Sequence, residues 1–234
     1  MGIADLHIHT IYSYDGTASV PAVLTRAKQI GLDVIAITDH DEIAGSLKAL
    51  ERAPNHGVEV IPGMEVTTAE GHLLALNITE KIQRDLPLIE TILNVHDLGG
   101  FCIAPHPMAG GIGMKSLSAY SILKALRNPD VARTLIAIET YNATTIDKMS
   151  NHYARILADR LDVAQTASSD AHIVEAIGLG VTEFDGCTPQ DLLIALQNGE
   201  THQHKQKEWN AVRILGSWAA NYIGSAFTRL ANTA

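Results

Sequence analysis

Eleven histidines stand in a chain of 234 residues that has only three phenylalanines and two tryptophans, and six of those histidines fall at the ends of short apolar runs. The first run closes in Asp5-Leu6-His7-Ile8-His9-Thr10, where the period-two geometry of a strand points His7 and His9 the same way, so that two imidazoles can share one metal ion. Further runs end in Thr38-Asp39-His40, in Gly63-Met64-Glu65, near His72, in Pro105-His106-Pro107, at Glu139 and in Ser169-Asp170-Ala171-His172. A single histidine at a strand end is usually a hydrogen-bonded structural residue. Recurrence in register is different, because burying that many polar groups together without a metal is costly. Mixed nitrogen and oxygen donors suit Zn, Mn or Fe rather than Ca, which prefers oxygen alone.

Such residues need elements that bring them together. Short β-branched runs predict strands at Ile3–His9, Val34–Thr38, Val58–Pro62, His72–Asn77, Phe101–Ala104, Thr134–Glu139 and Val163–Ala167. Between them, helical spacing predicts helices at Ser19–Ile30, Ala44–Ala53, Leu86–Leu98, Ser118–Arg127, Thr145–Arg160 and Pro189–Asn198, the first with Pro21 in its opening turn and Gly31 as its stop. Strand and helix in alternation indicate an α/β chain of parallel βαβ units, and seven strands favour a closed or nearly closed barrel over an open sheet. In such a barrel the C-terminal strand ends share one rim, where His7 and His172 can meet. No glycine-rich phosphate fingerprint follows the first strand, which speaks against dinucleotide binding.

Six motifs taken in order, Asp-Leu-His-Ile-His-Thr at 5–10, Ser13 to Gly16 with Asp15 inside it, Thr-Asp-His at 38–40, Pro-Gly-Met-Glu at 62–65, Pro-His-Pro at 105–107 and Ser-Asp-Ala-His at 169–172, resemble the PHP (polymerase and histidinol phosphatase) family. The match runs from residue 3 to about residue 185, nearly four fifths of the chain. The resemblance implies a distorted seven-stranded TIM-like barrel carrying a trinuclear centre that hydrolyses phosphate esters. It implies that His7, His9, Glu65 and Asp170 hold the first ion, Glu65, His72 and His106 the second, and Asp15, His40 and His172 the third, with Glu65 as the bridge. Asp15 stands where some members have His. Asp5 and Asp39 are expected to orient neighbouring imidazoles. The resemblance further implies that two bridged divalent ions, Mn, Fe or Zn, would supply a water activated for attack on phosphorus, and that the third would supply positive charge for the phosphate oxygens. Glu65, Asp170, His172 and His40 are the expected catalytic positions.

The remaining candidates are weaker in kind. Glu139 is either a rim residue touching cluster or substrate or a strand-end hydrogen-bonder. Lys115, Lys148 and Arg155 are candidate phosphate-binding cations. His56, His96, His152, His202 and His204 read as structural or solvated; His202-Gln203-His204 imitates a metal pair, yet no strand precedes it. The 40 residues between Glu65 and His106 hold one strand and one helix but no cap domain, which predicts an open mouth.

Composition limits the function further. With 46% hydrophobic and 18% charged residues the chain is an ordinary globular one. A net charge of −9 excludes a broad surface for duplex nucleic acid and leaves a small phosphorylated substrate as the expected partner. Two distant cysteines, Cys102 and Cys187, form no disulfide framework, and neither a leader nor a membrane-length apolar run is evident, so a cytoplasmic protein with no membrane partner is expected. The barrel is expected over residues 1–207. Residues 208–234 show an amphipathic helix pattern, with Val212, Leu215, Trp218, Tyr222, Ala226 and Leu230 near one face, expected to pack on the barrel or to join a homo-oligomer. Two other functions fit parts of the pattern: a metal-dependent amidohydrolase-type enzyme, which would normally place a lysine between its metals, and a regulatory metal-binding module acting through a partner.

Overall fold

The apolar runs fold as strands that are buried on both faces, as strands covered by helices must be. In chain order the elements are β1 (Gly2–Ile8), α1 (Val20–Gln29), β2 (Val34–Ile37), α2 (Ala44–Arg52), β3 (Glu59–Thr67), β4 (His72–Leu76), α3 (Leu88–Asp97), β5 (Phe101–Ala104), α4 (Ala119–Ala125), α5 (Pro129–Thr134), β6 (Leu135–Asn142), α6 (Lys148–Leu161), β7 (Ala164–Ser168), β8 (Gly180–Phe184), α7 (Pro189–Asn198) and β9 (His202–Lys205). This is a computed structural model, and it describes residues 1–110, 115–145, 147–205, 213–214 and 216–222. Local chemistry sets the helix starts: Ser19 caps α1, Asn128 caps α5, and Thr188 with Asp191 forms a capping box on α7.

One sheet runs β7-β6-β5-β4-β3-β2-β1-β8-β9 and curls into a nearly closed barrel. The gap between β7 and β1 is bridged just past β7, where His9 N–H donates to the Ala171 carbonyl at 2.9 Å and Ala171 N–H to the His7 carbonyl at 3.3 Å. On the same side Ala167 N–H of β7 donates to Thr182 Oγ1 of β8 at 3.0 Å. An inner apolar cluster takes Ala4, Leu6, Val34, Ala36, Leu74, Leu76, Ile103 and Ala137 from the strands and is joined by Leu192 and Leu196 of α7. Two outer clusters lie under the surrounding helices.

Nine strands replace the seven expected. β8 and β9 are the additions, paired antiparallel to β1 and to each other, and His202-Gln203-His204 lies on the edge strand β9 rather than in a connector. The parallel order also breaks at β4, which pairs antiparallel with both β3 and β5. That reversal matters for chemistry, because it puts the first residue of β4, His72, at the rim where the parallel strands end. No helix among the described residues is long and apolar enough to cross a membrane. Of the tail, Ile214 and Trp218 pack against the outer cluster beside α1, with residues 216–222 helical. Val212, Leu215, Ala226 and Leu230 lie outside the described residues.

Candidate metal centre

His7 and His9 reach the rim through an irregular strand. Leu6 belongs to the inner cluster and Ile8 to an outer one, and the β1–β2 register shifts between Asp5 and Ile8. A bulge of this kind re-aims side chains. Here it turns His7 and His9 toward Glu65 of β3, whose carboxylate is the hub: Oε1 lies 3.0 Å from His72 Nδ1 and 3.1 Å from His106 Nε2, and Oε2 lies 3.3 Å from His7 Nε2, 3.4 Å from His9 Nε2 and 3.1 Å from His40 Nδ1. Asp170 Oδ1 is 3.5 Å from His7 Nε2 and 3.2 Å from His9 Nε2. Above them Asp15 Oδ2 lies 3.1 Å from His172 Nε2 and 3.4 Å from His40 Nε2. All nine side chains named as metal ligands by the family resemblance are therefore brought together.

Two of the ligand backbones are strained. His106 and Asp170 have φ of +30° and +51°, in the left-handed region that a side chain disfavours by roughly 1–2 kcal/mol each. Glu139 and Asn142 of β6 hold both in place: Glu139 Oε2 accepts from His106 N–H at 2.7 Å and from Asn142 Nδ2 at 3.0 Å, and the same amide donates to Asp170 Oδ2 at 3.1 Å. Glu139 Oε1 lies 3.2 Å from His7 Nδ1. Glu139 is fully buried, so it touches the cluster through His7 and does not face the mouth.

Asp5 and Asp39 have other partners than expected. Asp5 accepts from Ser169 and Gly178 N–H at 3.0 and 2.9 Å, and Asp39 from Thr10 N–H and Oγ1 at 2.6 and 2.7 Å. Each therefore fastens the backbone of a ligand loop rather than an imidazole, because the carboxylate satisfies loop N–H groups of Ser169, Gly178 or Thr10. Burial pushes the Asp5 carboxyl up to about 6 and that of Asp39 up to about 7. The imidazole supports are two serines to which the sequence assigned no such role: Ser13 Oγ lies 3.4 Å from His9 Nδ1 and Ser116 Oγ 3.2 Å from His106 Nδ1. Ser116 belongs to a segment, 115–117, seated against the β3–β4 turn. Lys115 carbonyl accepts from His72 N–H at 2.8 Å, and a Cβ on Gly71 would come within 2.7 Å of Leu117 N and Ser116 C.

The electrostatics fit a cation site. Burial opposes charge on Glu65, yet the imidazoles of His72, His40 and His7 hold its carboxyl well below the usual range. Asp170 is held low in the same way, against burial, by His7 and its neighbours. Burial also opposes charge on His7, but Asp170, Glu65 and Glu139 hold its imidazole well above the ordinary value. Burial and the neighbouring His172 push His9 down to about 3, leaving a neutral imidazole, the form that ligates metals. His9 Nε2 and His40 Nδ1 are buried without a hydrogen bond, although carboxylate oxygens lie within 3.4 Å. Buried polar atoms are seldom left so. Four overlapping groups place their donor atoms within 4.8 Å of one another: His7-His9-Asp170, His7-Glu65-His106, His40-Glu65-His72 and His9-Asp15-His40-His172. The nine residues fit divalent ions.

The three candidate cations separate. Lys115 is exposed beside Ser116 at the mouth, and Lys148 is exposed at the start of α6 on the rim side. Arg155 lines a groove with Leu135, Ala164 and Gln165 at the starts of β6 and β7, the end of the barrel opposite the cluster. The helix carries it there along its axis, since residues 148 and 155 lie two turns apart on α6. Among the described residues no lysine or arginine pairs with any of the nine. Tyr14, 64% exposed, stacks its ring 5.0 Å from that of His40.

A barrel with a histidine-carboxylate cluster at its rim defines a class of metal-dependent hydrolases. The chain belongs to the PHP domain family of metal-dependent phosphoesterases: the PHP domain family model matches residues 5–158, and a PHP-associated model matches residues 148–201. An uncharacterised protein of Methanocaldococcus jannaschii is 35% identical over 161 residues, covering 64% of this chain and 88% of its own. A 5'-3' exoribonuclease of Haemophilus influenzae is 27% identical over 197 residues, covering 82% of this chain and 63% of its own. Among solved structures, a two-domain protein of Bacteroides vulgatus containing a predicted PHP-like metal-dependent phosphoesterase superposes with a TM-score of 0.72 at 19% identity, over 87% of this chain and 64% of that one.

Proposed function

We propose that this enzyme hydrolyses a small phosphate ester, a phosphomonoester or nucleotide-type substrate, at a centre of up to three divalent ions drawn from Mn, Fe and Zn. His7, His9, Glu65 and Asp170 would hold the first, Glu65, His72 and His106 the second, and Asp15, His40 and His172 the third. The observation that carries this reading is the hub at Glu65, whose two oxygens face two different sets of imidazoles. Divalent ions there would supply a water activated for attack on phosphorus and positive charge for the phosphate oxygens.

The chain's own residues do the rest. Glu139, Ser13 and Ser116 hold the Nδ1 atoms of His7, His9 and His106, which fixes each ring with Nε2 toward the centre. Lys115 and Lys148 would meet substrate anions, a role supported by their exposure on the rim side. The exoribonuclease relative supports including nucleotides among the substrates, and the negative net charge supports a small ligand over duplex nucleic acid. The barrel over residues 1–207, the separate tail, a cytoplasmic location and a homo-oligomer through that tail belong to the same proposal.

The test is metal analysis of protein purified without chelator, then a screen of phosphomonoesters, phosphodiesters and amides with Mn supplied. The expected result is about two to three transition-metal ions per chain and release of phosphate or nucleotide with a neutral to alkaline optimum. A single tight zinc, phosphate release that survives full chelation, or amide cleavage alone would refute it.

A further inference from the structure

Asp15 sits on the loop between β1 and α1, and that loop is tied at its base. Ile11 N–H donates to the Ala18 carbonyl at 2.9 Å, and Thr17 donates to the His172 carbonyl from N–H at 3.0 Å and from Oγ1 at 2.8 Å. Within the loop Ser13 Oγ donates to Asp15 Oδ1 at 2.8 Å, leaving Oδ2 toward His172 and His40. The Asp15 main chain is met from far away in sequence: Trp218 Nε1 donates to the Asp15 carbonyl at 2.8 Å. The indole is half-buried on the outer cluster that contains Ala18, Val20 and Val23, with Ile214 beside it, and its ring lies 5.0 Å from that of Tyr222. Trp218 lies beyond the residues that either family model matches.

We infer that Trp218 is a positioning residue for the third metal site: its indole N–H, anchored on the barrel by apolar packing, fixes the Asp15 peptide so that Oδ2 faces His40 and His172. This rests on the metal reading given above. The physical reason is economy of freedom. A carboxylate on a loop must lose backbone entropy to ligate, and a peptide already held at its carbonyl has less to lose. An indole provides one rigid donor on a large apolar anchor, which suits this position better than a flexible polar side chain.

The experiment uses the full chain. Metal-free wild type and Trp218→Phe, which keeps a ring but removes the donor, are titrated calorimetrically with Mn(II), and kcat and KM are measured on the substrate found in the screen. In parallel, Trp209→Phe leaves Trp218 as the single tryptophan, and its emission is followed during the same titration. The weakest metal step of Trp218→Phe should fall roughly fivefold in affinity, the size of one net hydrogen bond, with tighter steps and melting temperature unchanged and kcat lowered more than KM is raised. Trp218 emission should change with that last step. Isotherms that superimpose, or emission that ignores the last step, overturn the inference. So does equal weakening of every step with a lowered melting temperature, which marks general packing. If Trp218→Phe fails to fold, the emission of Trp209→Phe still decides. Wild type that takes up no metal defeats the functional reading itself, and that failure is distinct because it precedes any substitution.

Discussion

Glu65 and Asp15 are both carboxylates ringed by imidazoles, but they sit in different kinds of place. Glu65 is 1% exposed on a strand, and its partners come from β1, β4 and the ends of β2 and β5. Asp15 is 18% exposed on a loop, with His172 at 23%. The difference teaches that the cluster has a rigid floor and a softer outer edge. On the floor, moving one ligand disturbs strands that carry others, and burial strengthens every electrostatic contact. At the edge the loop can shift while the barrel stays folded. The centre should therefore lose ions from the outside inward.

The largest effect tests the floor. Glu65→Gln should lower turnover by more than about 10³-fold and remove two ions per chain, with circular dichroism and melting temperature close to wild type. Normal metal content with near wild-type turnover would take Glu65 out of the hub. Glu139→Gln acts on the same floor through His7 and His106, and should weaken the retained metal roughly 10–100-fold, measured by competition with a chromophoric chelator. Asp15→Ala works at the edge. It should release one ion, keep the other two and reduce kcat by more than it raises KM, and in wild type the corresponding ion should be the first removed by mild chelation. Loss of all ions together in Asp15→Ala would erase the distinction between floor and edge.

A gentler test varies pH. Against burial, Asp15 and Asp170 hold His172 up to about 9, so at pH 7 the metal-free residue carries a proton that an ion must displace. Affinity of the outermost site should rise by up to about tenfold per pH unit between 7 and 9 and level off above, with proton release on binding. In the metal-free protein the sign is opposite: the His172 pairing contributes fully below about pH 6.5 and is lost as pH rises through about 9, which melting curves across that range would show. The smallest effect compares the two thiols. Cys102 is buried and its thiol is pushed up by burial, whereas Cys187 is exposed, so a thiol reagent should label one site per native chain and two after unfolding.

Much of the cluster was legible because strand geometry makes position meaningful. His7 and His9 share a face, and parallel strand ends share a rim, so His40, Glu65, His106 and Asp170 could be gathered without coordinates. What escaped depends on contacts that have no sequence period. The reversal of β4 rests on a turn of a few residues after Thr67, and β8 and β9 are short pieces recognisable only by the edges they cover. Asp39 neighbours His40 in sequence, yet on a strand an adjacent residue points the other way. Asp5 shares the period-two parity of His7, but its carboxylate is taken by the distant N–H groups of Ser169 and Gly178, which no sequence period announces. Arg155 was grouped with Lys148 by type, although helix α6 carries the two to opposite ends of the barrel. The roles of Ser13 and Ser116 have one faint signal, a hydroxyl a few residues from a ligand, too common to single out.

Gly71, at the β3–β4 turn, gives this architecture an inheritance rule. Its φ is +154°, and the space where a methyl group would stand is taken by the backbone of Ser116 and Leu117. His72 follows it directly, and Ser116 steadies His106. Two donors on different strands therefore answer to one hydrogen atom in place of a side chain. A lineage that exchanged this glycine would shift both donors at once, and repair would have to come from residues 115–117 rather than from either histidine.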